Sequence, residues 1–416
     1  MSFDLFAKRL IPLNLINSHR IENIPLRKLE WKNKKISHIS YRYLFTDFFG
    51  NQNYESIDGA GIGETDCEAR FLSNMELIER YSALSDLTIR YILKSYNPSE
   101  NRINLKFLLP YTPKEIKSIE NNNSNILKLR ANATGMISNY TYDIPAAVVF
   151  PRWKSFINLQ TEFPETEGSG IAAGLIWEKE NLLFRALCEV IERESVMLAW
   201  RLPLRPKNLL NINTSILNNH HHYIRKNNLD LSILEVGDND LLPVIIALIY
   251  DKNGNHLTLG SSCGKGIIKD INKALEEAIM LRSSAKNLNM HYPNFKDIDI
   301  DSSEKHLLYG WRNGRKVLDL FLKGSKKTNN IPKYPNHKDH LNLLAKKCKK
   351  KYDFEPLIVD ITHPNFQKTP YRVYRVIQPN TLKKEYRHKH IYLGGKIFSL
   401  WKKKKPTLNL LPHPIA

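Results

Sequence analysis

At 416 residues, with 42% hydrophobic and 10% aromatic side chains, the chain can bury one large core or two ordinary ones and has the balance of a globular enzyme. A formal net charge of +20, 62 basic residues against 42 acidic, raises nucleic acid, membrane surfaces and acidic peptides as partners. No zinc-finger spacing, arginine-rich arm or aromatic–basic interleaving supports a nucleic-acid module, and the longest apolar run, 241–250, is too short to span a bilayer.

Much of the positive surplus sits in two lysine runs, 346–351 around Cys348 and 402–405. The four cysteines (Cys67, Cys188, Cys263 and Cys348) form no C-x-x-C, which suits a reducing compartment. The apolar run after Lys8 and Arg9 is broken by Pro12 and Asn14 and lacks a signal-peptide core. A cytoplasmic protein is expected, without membrane attachment.

Residues 1–50 have no clear period and read as an N-terminal extension, too short for a substrate-recognition domain; 51–416 read as one domain. The glycines of 56–64 predict a turn, and Thr65 with Glu68 a capping box that opens a helix. On that helix Ser73, Glu76, Glu79, Arg80 and Ala83 share one face. An exposed loop is expected over 121–125 and a strand over 144–150. A second glycine loop, 168–174, leads into a helix with Glu189, Glu192 and Arg193 on one surface and Leu183, Leu187 and Val190 as a separate apolar stripe.

His220, His221 and His222 are consecutive, with no second ligand cluster nearby, and read as a solvated loop rather than a metal site. A hairpin is predicted from 241–250 to 256–261 across Lys252, Asn253, Gly254 and Asn255. A third glycine loop, 260–266, opens a helix over 270–286 with Lys273 and Glu277 one turn apart and Arg282 beyond. Residues 324–340 read as a loop or linker, 341–351 as a helix, and 357–362 and 371–377 as core strands. The tail ends Leu411-Pro412-His413-Pro414-Ile415-Ala416. Its prolines stiffen it into an extended rod, which profits a terminus docked in a pocket more than a free one.

One E-x-x-E-R is commonplace on a solvated helix face. Its repetition, with Leu77-Ile78-Glu79-Arg80 matched by Val190-Ile191-Glu192-Arg193 and a glycine stretch before each copy, points to a shared site. Four carboxylates in one pocket need a positive centre among them. Mg2+, held by carboxylates and by phosphate oxygens of a substrate, supplies it.

With these motifs the chain resembles the YcaO family of ATP-dependent enzymes that modify peptide backbones, from about Gly59 to the last residue. Glu76, Glu79 and Arg80 resemble the family's first E-x-x-E-R; Glu189, Glu192 and Arg193, after Cys188, resemble the second. Lys273 and Glu277 fall where a third motif has a basic residue and a glutamate. Val359-Asp360-Ile361-Thr362 and Gln378-Pro379 resemble late strands, and the tail a proline-rich C-terminus whose carboxylate enters the active site. The chain departs from the pattern at Ala60 (lysine is usual), Leu72 (serine, with Ser73 beside it), Ser169 (asparagine), Lys273 (arginine) and Ala416 (proline). These departures give it the look of the cyclodehydratase subunit of microcin-type azole synthetases.

The resemblance implies an α+β fold of mixed, mostly antiparallel sheets with flanking helices around a central nucleotide pocket. It implies ATP and Mg2+ as cofactors. Glu76, Glu79, Glu189 and Glu192 are then expected at the metal. Ser73, Arg80, Ser169, Arg193, Lys273, Glu277 and Arg282 are expected at the nucleotide, and the Ala416 carboxylate, delivered by Pro412 and Pro414, as the proton acceptor. The implied reaction cyclises Cys, Ser or Thr of a ribosomally made precursor peptide to azolines, as in thiazole/oxazole-modified microcin and other bacteriocin biosynthesis. Implied partners are that peptide, a separate leader-peptide-binding subunit of ubiquitin-activating or winged-helix type, and an FMN-dependent dehydrogenase. Thioamide or amidine formation, and a degenerate scaffold that binds no nucleotide, stay open as alternatives.

Overall fold

The computed structural model describes residues 21–24, 35–46, 52–122, 129–150, 166–330 and 340–415, apart from 96, 99–100, 168, 203–205, 211, 213–216, 238–240, 298–299, 395, 397–399 and 401–406. The architecture is α+β. In chain order its elements are β1 (Ile21–Ile24), β2 (Lys35–Thr46), β3 (Gln52–Gly63), α1 (Asp66–Leu84), α2 (Asp86–Lys94), α3 (Leu105–Leu108), α4 (Pro113–Asn122), β4 (Arg130–Gly135), β5 (Thr141–Pro145), β6 (Thr166–Glu167), β7 (Gly170–Leu175) and α5 (Lys179–Arg201). There follow β8 (Lys207–Leu209), α6 (Asn218–Lys226), β9 (Leu229–Val236), β10 (Val244–Asp251), β11 (Thr258–Cys263), α7 (Ile267–His291), α8 (Ser303–Arg312), α9 (Gly314–Leu322), β12 (Lys326–Thr328), α10 (His340–Tyr352), β13 (Leu357–Asp360), β14 (Tyr371–Ile377) and β15 (Lys384–Glu385).

Four sheets form: β1-β2-β3, β11-β10-β9-β8-β12, β5-β4-β13-β14-β7 and the pair β15-β6. Pairing is antiparallel except between β12 and β8. β2 and β3 pair along their whole length, Lys35 opposite Gly63 and Thr46 opposite Gln52. The division expected at residue 50 therefore falls between two strands of one sheet.

α5 is the axis of the molecule. Leu182, Leu183, Ala186, Leu187, Val190 and Ile191 are buried along it, in a core that also takes Val244, Ile246 and Leu248 of β10 and Val376 of β14. Burial is nearly all-round over 194–201, as in a helix inside the protein, while exposed Asn181 and Arg185 leave one face of the first half open. At its C-terminal end the Arg201 guanidinium is buried against the Glu385 carboxylate, and its Nη1 also donates to the carbonyls of Asn409 and Leu411 at 2.8 and 2.7 Å. A buried guanidinium needs this full set of acceptors to offset its lost hydration.

Several expectations hold. Thr65 caps α1, its hydroxyl accepting from the Glu68 amide at 3.1 Å, while the Glu68 carboxylate accepts from the Glu64 amide at 2.7 Å. The β10–β11 hairpin, α10, β13 and β14 form where expected. Others are corrected. The strand over 144–150 ends at Pro145, and Ala146–Val148 turn as a 3-10 helix whose alanines, too small to hold chains apart, sit in the core. The three histidines lie on α6, with His220 buried rather than solvated. Within 324–340, Lys326–Thr328 adds a strand beside β8. Residues 121 and 122 close α4, and 123–125 lie outside the described residues.

The largest correction concerns the glycine stretches. The first lies in β3. The described part of the second is β7. The third is β11 as far as Cys263, and only then turns, with Gly264 and Gly266 at φ +87° and +94°. Their glycines serve close packing more than turning. A Cβ on Gly59, Gly170 or Gly260 would lie 2.1, 1.7 or 2.1 Å from the carbonyl oxygen of Ser73, Ala186 or Ala274 on the following helix. Only a bare backbone lets strand and helix approach so closely.

Candidate active site

Those three contacts are one arrangement built three times. In each unit the residue after the glycine donates its amide to a glutamate on the next helix. Ala60 N reaches Glu76 Oε2 at 2.7 Å, Ile171 N reaches Glu189 Oε2 at 2.8 Å, and Ser261 N reaches Glu277 Oε2 at 2.7 Å. Each glutamate lies three residues beyond the carbonyl that the glycine faces. The units are then tied in series. Glu79 of α1 accepts from the Ala173 amide of β7 at 2.7 Å, and Glu192 of α5 accepts from the Ser261 hydroxyl of β11 at 2.7 Å.

The five glutamates converge on a cavity of about 700 Å³. Arg185, Lys265, Lys269 and Lys273 share its lining, with Leu72, Met75, Phe184, Cys188 and Met280 among the apolar walls. The carboxylates repel one another. Burial, then Glu189 and Glu76, push Glu79 up to about 8 against the pull of Arg185 and the Ala173 amide. Burial and then Glu277 push Glu192 up to about 8 as well. Glu277 is raised chiefly by burial, although the Ser261 amide and Lys273 counter it. Lys265 is lowered by burial and by the neighbouring Lys273.

Among the described residues no three His, Cys, Asp or Glu side chains converge tightly enough to cage a metal alone. Each glutamate already gives one lone pair to a backbone amide or a hydroxyl, and Glu76 and Glu189 give a second to Arg80 and Arg193, which leaves each of them only part of its donor capacity for a ligand. A hard cation that retains water and takes phosphate oxygens fits that donor set; a bare protein cage does not. The residues present therefore suit Mg2+ with a triphosphate.

The expected site residues divide in two. Glu76, Glu79, Glu189, Glu192, Lys273 and Glu277 all line the cavity. Arg80 and Arg193 do not; each turns back to a glutamate one turn earlier, Glu76 and Glu189 respectively, at 2.6 Å. The Ser73 hydroxyl donates to the Arg70 carbonyl of its own helix at 3.0 Å. Ser169 accepts from Arg375 Nη1 at 2.5 Å, and its carbonyl accepts from Arg193 at 3.1 Å. Arg282 is corrected outright. Its guanidinium takes the carbonyls of Ile249 and His256, at 3.1 and 2.5 Å, and lies over the Trp311 ring.

The tail is docked. His413 is fully buried, its Nε2 donating to the Glu385 carbonyl at 2.9 Å, and its ring stacks on His306 at 3.6 Å. His306 Nδ1 donates to the His413 carbonyl at 2.8 Å. Pro412 and Pro414 are buried on either side, and Ala416 lies outside the described residues. Sequence reasoning missed Arg185, Lys265 and Lys269. The signals were one turn before Glu189 and the Gly264-Lys265-Gly266 run.

A family model described as YcaO cyclodehydratase, binding ATP and Mg2+, matches residues 60–382. A search of curated proteins finds no match. Among solved structures, YcaO from Methanopyrus kandleri bound with AMPPCP and Mg2+ superposes with a TM-score of 0.63 at 15% identity, over 92% of this chain and 91% of that one. A heterocyclase in complex with substrate and cofactor gives 0.65 at 17%, over 95% of this chain and 54% of its own. The E. coli microcin synthetase McbBCD complex gives 0.55 at 14%, over 87% of each chain. At these identities the structures establish the shared fold. No described helix is long and apolar enough to cross a membrane.

Proposed function

The chain belongs to the YcaO family, whose cofactors are ATP and Mg2+, and from that premise we propose that it is an ATP-dependent cyclodehydratase. In this reading it converts Cys, Ser or Thr residues of a ribosomally made precursor peptide to azolines, in the cytoplasm. The observation that carries the proposal is the convergence of five glutamates from three strand–helix units on one cavity that also bears four cationic side chains.

Glu76, Glu79, Glu189 and Glu192 would hold Mg2+, directly or through water. Lys273, Arg185, Lys265 and Lys269 would face the phosphates, with Glu277 orienting Lys273. Arg80 and Arg193 would act through the glutamates they pair with, holding them aimed. Ser169 steadies Arg193 in turn. The nucleotide supplies a phosphoryl group that turns the amide oxygen, a very poor leaving group, into phosphate.

As the ring closes, a heteroatom–carbon bond forms and the carbonyl C–O bond breaks. The protons of the attacking thiol or hydroxyl and of the amide nitrogen need an acceptor. We assign that role to the Ala416 carboxylate, held in place by Pro412 and Pro414. Support comes from the burial of Pro412, His413 and Pro414, which docks the tail against the fold rather than leaving it free. A separate leader-binding subunit would deliver the peptide, and an FMN-dependent dehydrogenase would oxidise azoline to azole.

The test is incubation of the protein and its delivering subunit with the precursor peptide, ATP and Mg2+, read by mass. Loss of one water per ring, abolished by deleting 411–416 with nucleotide binding retained, is the expected result. Exchange of oxygen for sulfur, or no change in mass, contradicts azoline formation. Full activity without the tail removes Ala416 from the mechanism.

A further inference from the structure

A peptide substrate has to reach the nucleotide cavity, and a second cavity adjoins it. This groove, of about 600 Å³, is walled on one side by Asn181 and Phe184 of α5, both of which also line the nucleotide cavity. The other wall is the first turn of α10, where the His340 ring stands 5.5 Å from Phe184 and Asn342 faces the groove. Met136 adds an apolar patch, and Glu180 is the one acid in the lining.

From Asn342 the face of α10 continues through Lys346, Lys349 and Lys350, four, seven and eight residues on, all exposed. Helical spacing puts them on one stripe, which leads away from the groove over roughly 12 Å. No acidic side chain among the described residues pairs with these three. Lys351, on another face, turns inward to Glu194 at 3.5 Å, and Asp353 past the helix end is taken by Lys396 at 2.9 Å. An extended peptide of roughly three or four residues covers the same length.

We infer that the groove is the approach of the peptide to the nucleotide cavity, and that the α10 lysines select peptides with acidic residues beside the residue to be cyclised. The inference rests on the proposed peptide-modifying function and names the chemistry of its substrate. The mixed lining of the groove alone would not choose a partner. A cationic stripe continuous with it, on the helix that forms its wall, does so by charge.

The test uses two fluorescein-labelled synthetic peptides of glycine, serine and one cysteine, carrying beside the cysteine a run of either glutamates or glutamines. Binding to the full chain is read by anisotropy. The glutamate peptide should bind about tenfold more tightly at low salt, since three exposed charge contacts contribute a few-fold each. The preference should vanish in about 0.5 M salt and in the Lys346→Glu/Lys349→Glu/Lys350→Glu variant. Equal affinities, or a preference that survives charge reversal, overturn the inference. So does a duplex oligonucleotide that binds the stripe more tightly than the glutamate peptide. If neither peptide binds while Mg·AMPPCP does, the groove assignment fails alone; if Mg·AMPPCP fails to bind too, the proposed function itself has failed.

Discussion

Glu79 and Glu192 titrate where catalysis would use them, and the direction follows from their surroundings. Both favour the neutral carboxyl in the ligand-free protein, with pKa about 8 against 4.5 in the unfolded chain. Their contribution to stability is therefore fully present below about 4.5 and is lost as pH rises through about 8. A bound divalent cation reverses this, because it requires the ionised form. The affinity for Mg·AMPPCP is predicted to rise about tenfold or more between about pH 6.5 and about pH 8.5, measured by titration calorimetry. A flat profile would mean that neither carboxylate meets the metal. The pairs behind this were legible as residues, since E-x-x-E-R is written locally. Their partners were not: nothing near Glu79 in the chain announces the Ala173 amide 94 residues on, or Ser261 for Glu192.

The three glycine-bearing strands show where local reasoning reaches its limit. A glycine cluster before a helix reads as a turn, yet at 59, 170 and 260 it marks a strand pressed against helix backbone. The same misreading hid the strand in each of the three glycine–helix units, the third of which carries Lys273 and Glu277 in place of E-x-x-E-R. Gly170→Ala is the sharpest probe, because its Cβ would fall 1.7 Å from the Ala186 carbonyl oxygen. It should cost about 3 kcal/mol of stability in denaturant unfolding and uncouple Glu189 from Ile171; a neutral effect would remove the packing argument.

The docked tail is an element of its own. Burial lowers the pKa of His306 to about 3 despite the raising effect of the His413 carbonyl, and burial followed by the neighbouring His306 holds His413 well below the usual histidine range. Both imidazoles are neutral when folded, so the undocked tail binds more protons as pH falls below about 6.5. Acidification from about pH 7 to about 5 should therefore loosen the tail, read as faster proteolysis at 411–416 than in the core. Equal protection at both pH values would contradict the docking.

At the scale of the molecule, the α+β architecture came from the family resemblance, while strands such as 244–251 and 371–377 were readable from their own apolar content. The placement of Arg282 against Trp311, and of the cations Arg185, Lys265 and Lys269 in the cavity, depends on how distant elements meet, and no local period encodes it. In the proposed function two of the three units aim their carboxylates at one hydrated metal, and the third turns Lys273 toward its triphosphate. Titration of AMPPCP into the intact chain, with and without Mg2+ and in Glu192→Gln, tests it most directly. Glutamine keeps an acceptor for Ser261 while losing the charge. Saturable heat that requires Mg2+, and an affinity lowered about tenfold or more in the variant, is the predicted result. Absence of heat, or binding indifferent both to Mg2+ and to the substitution, would contradict it.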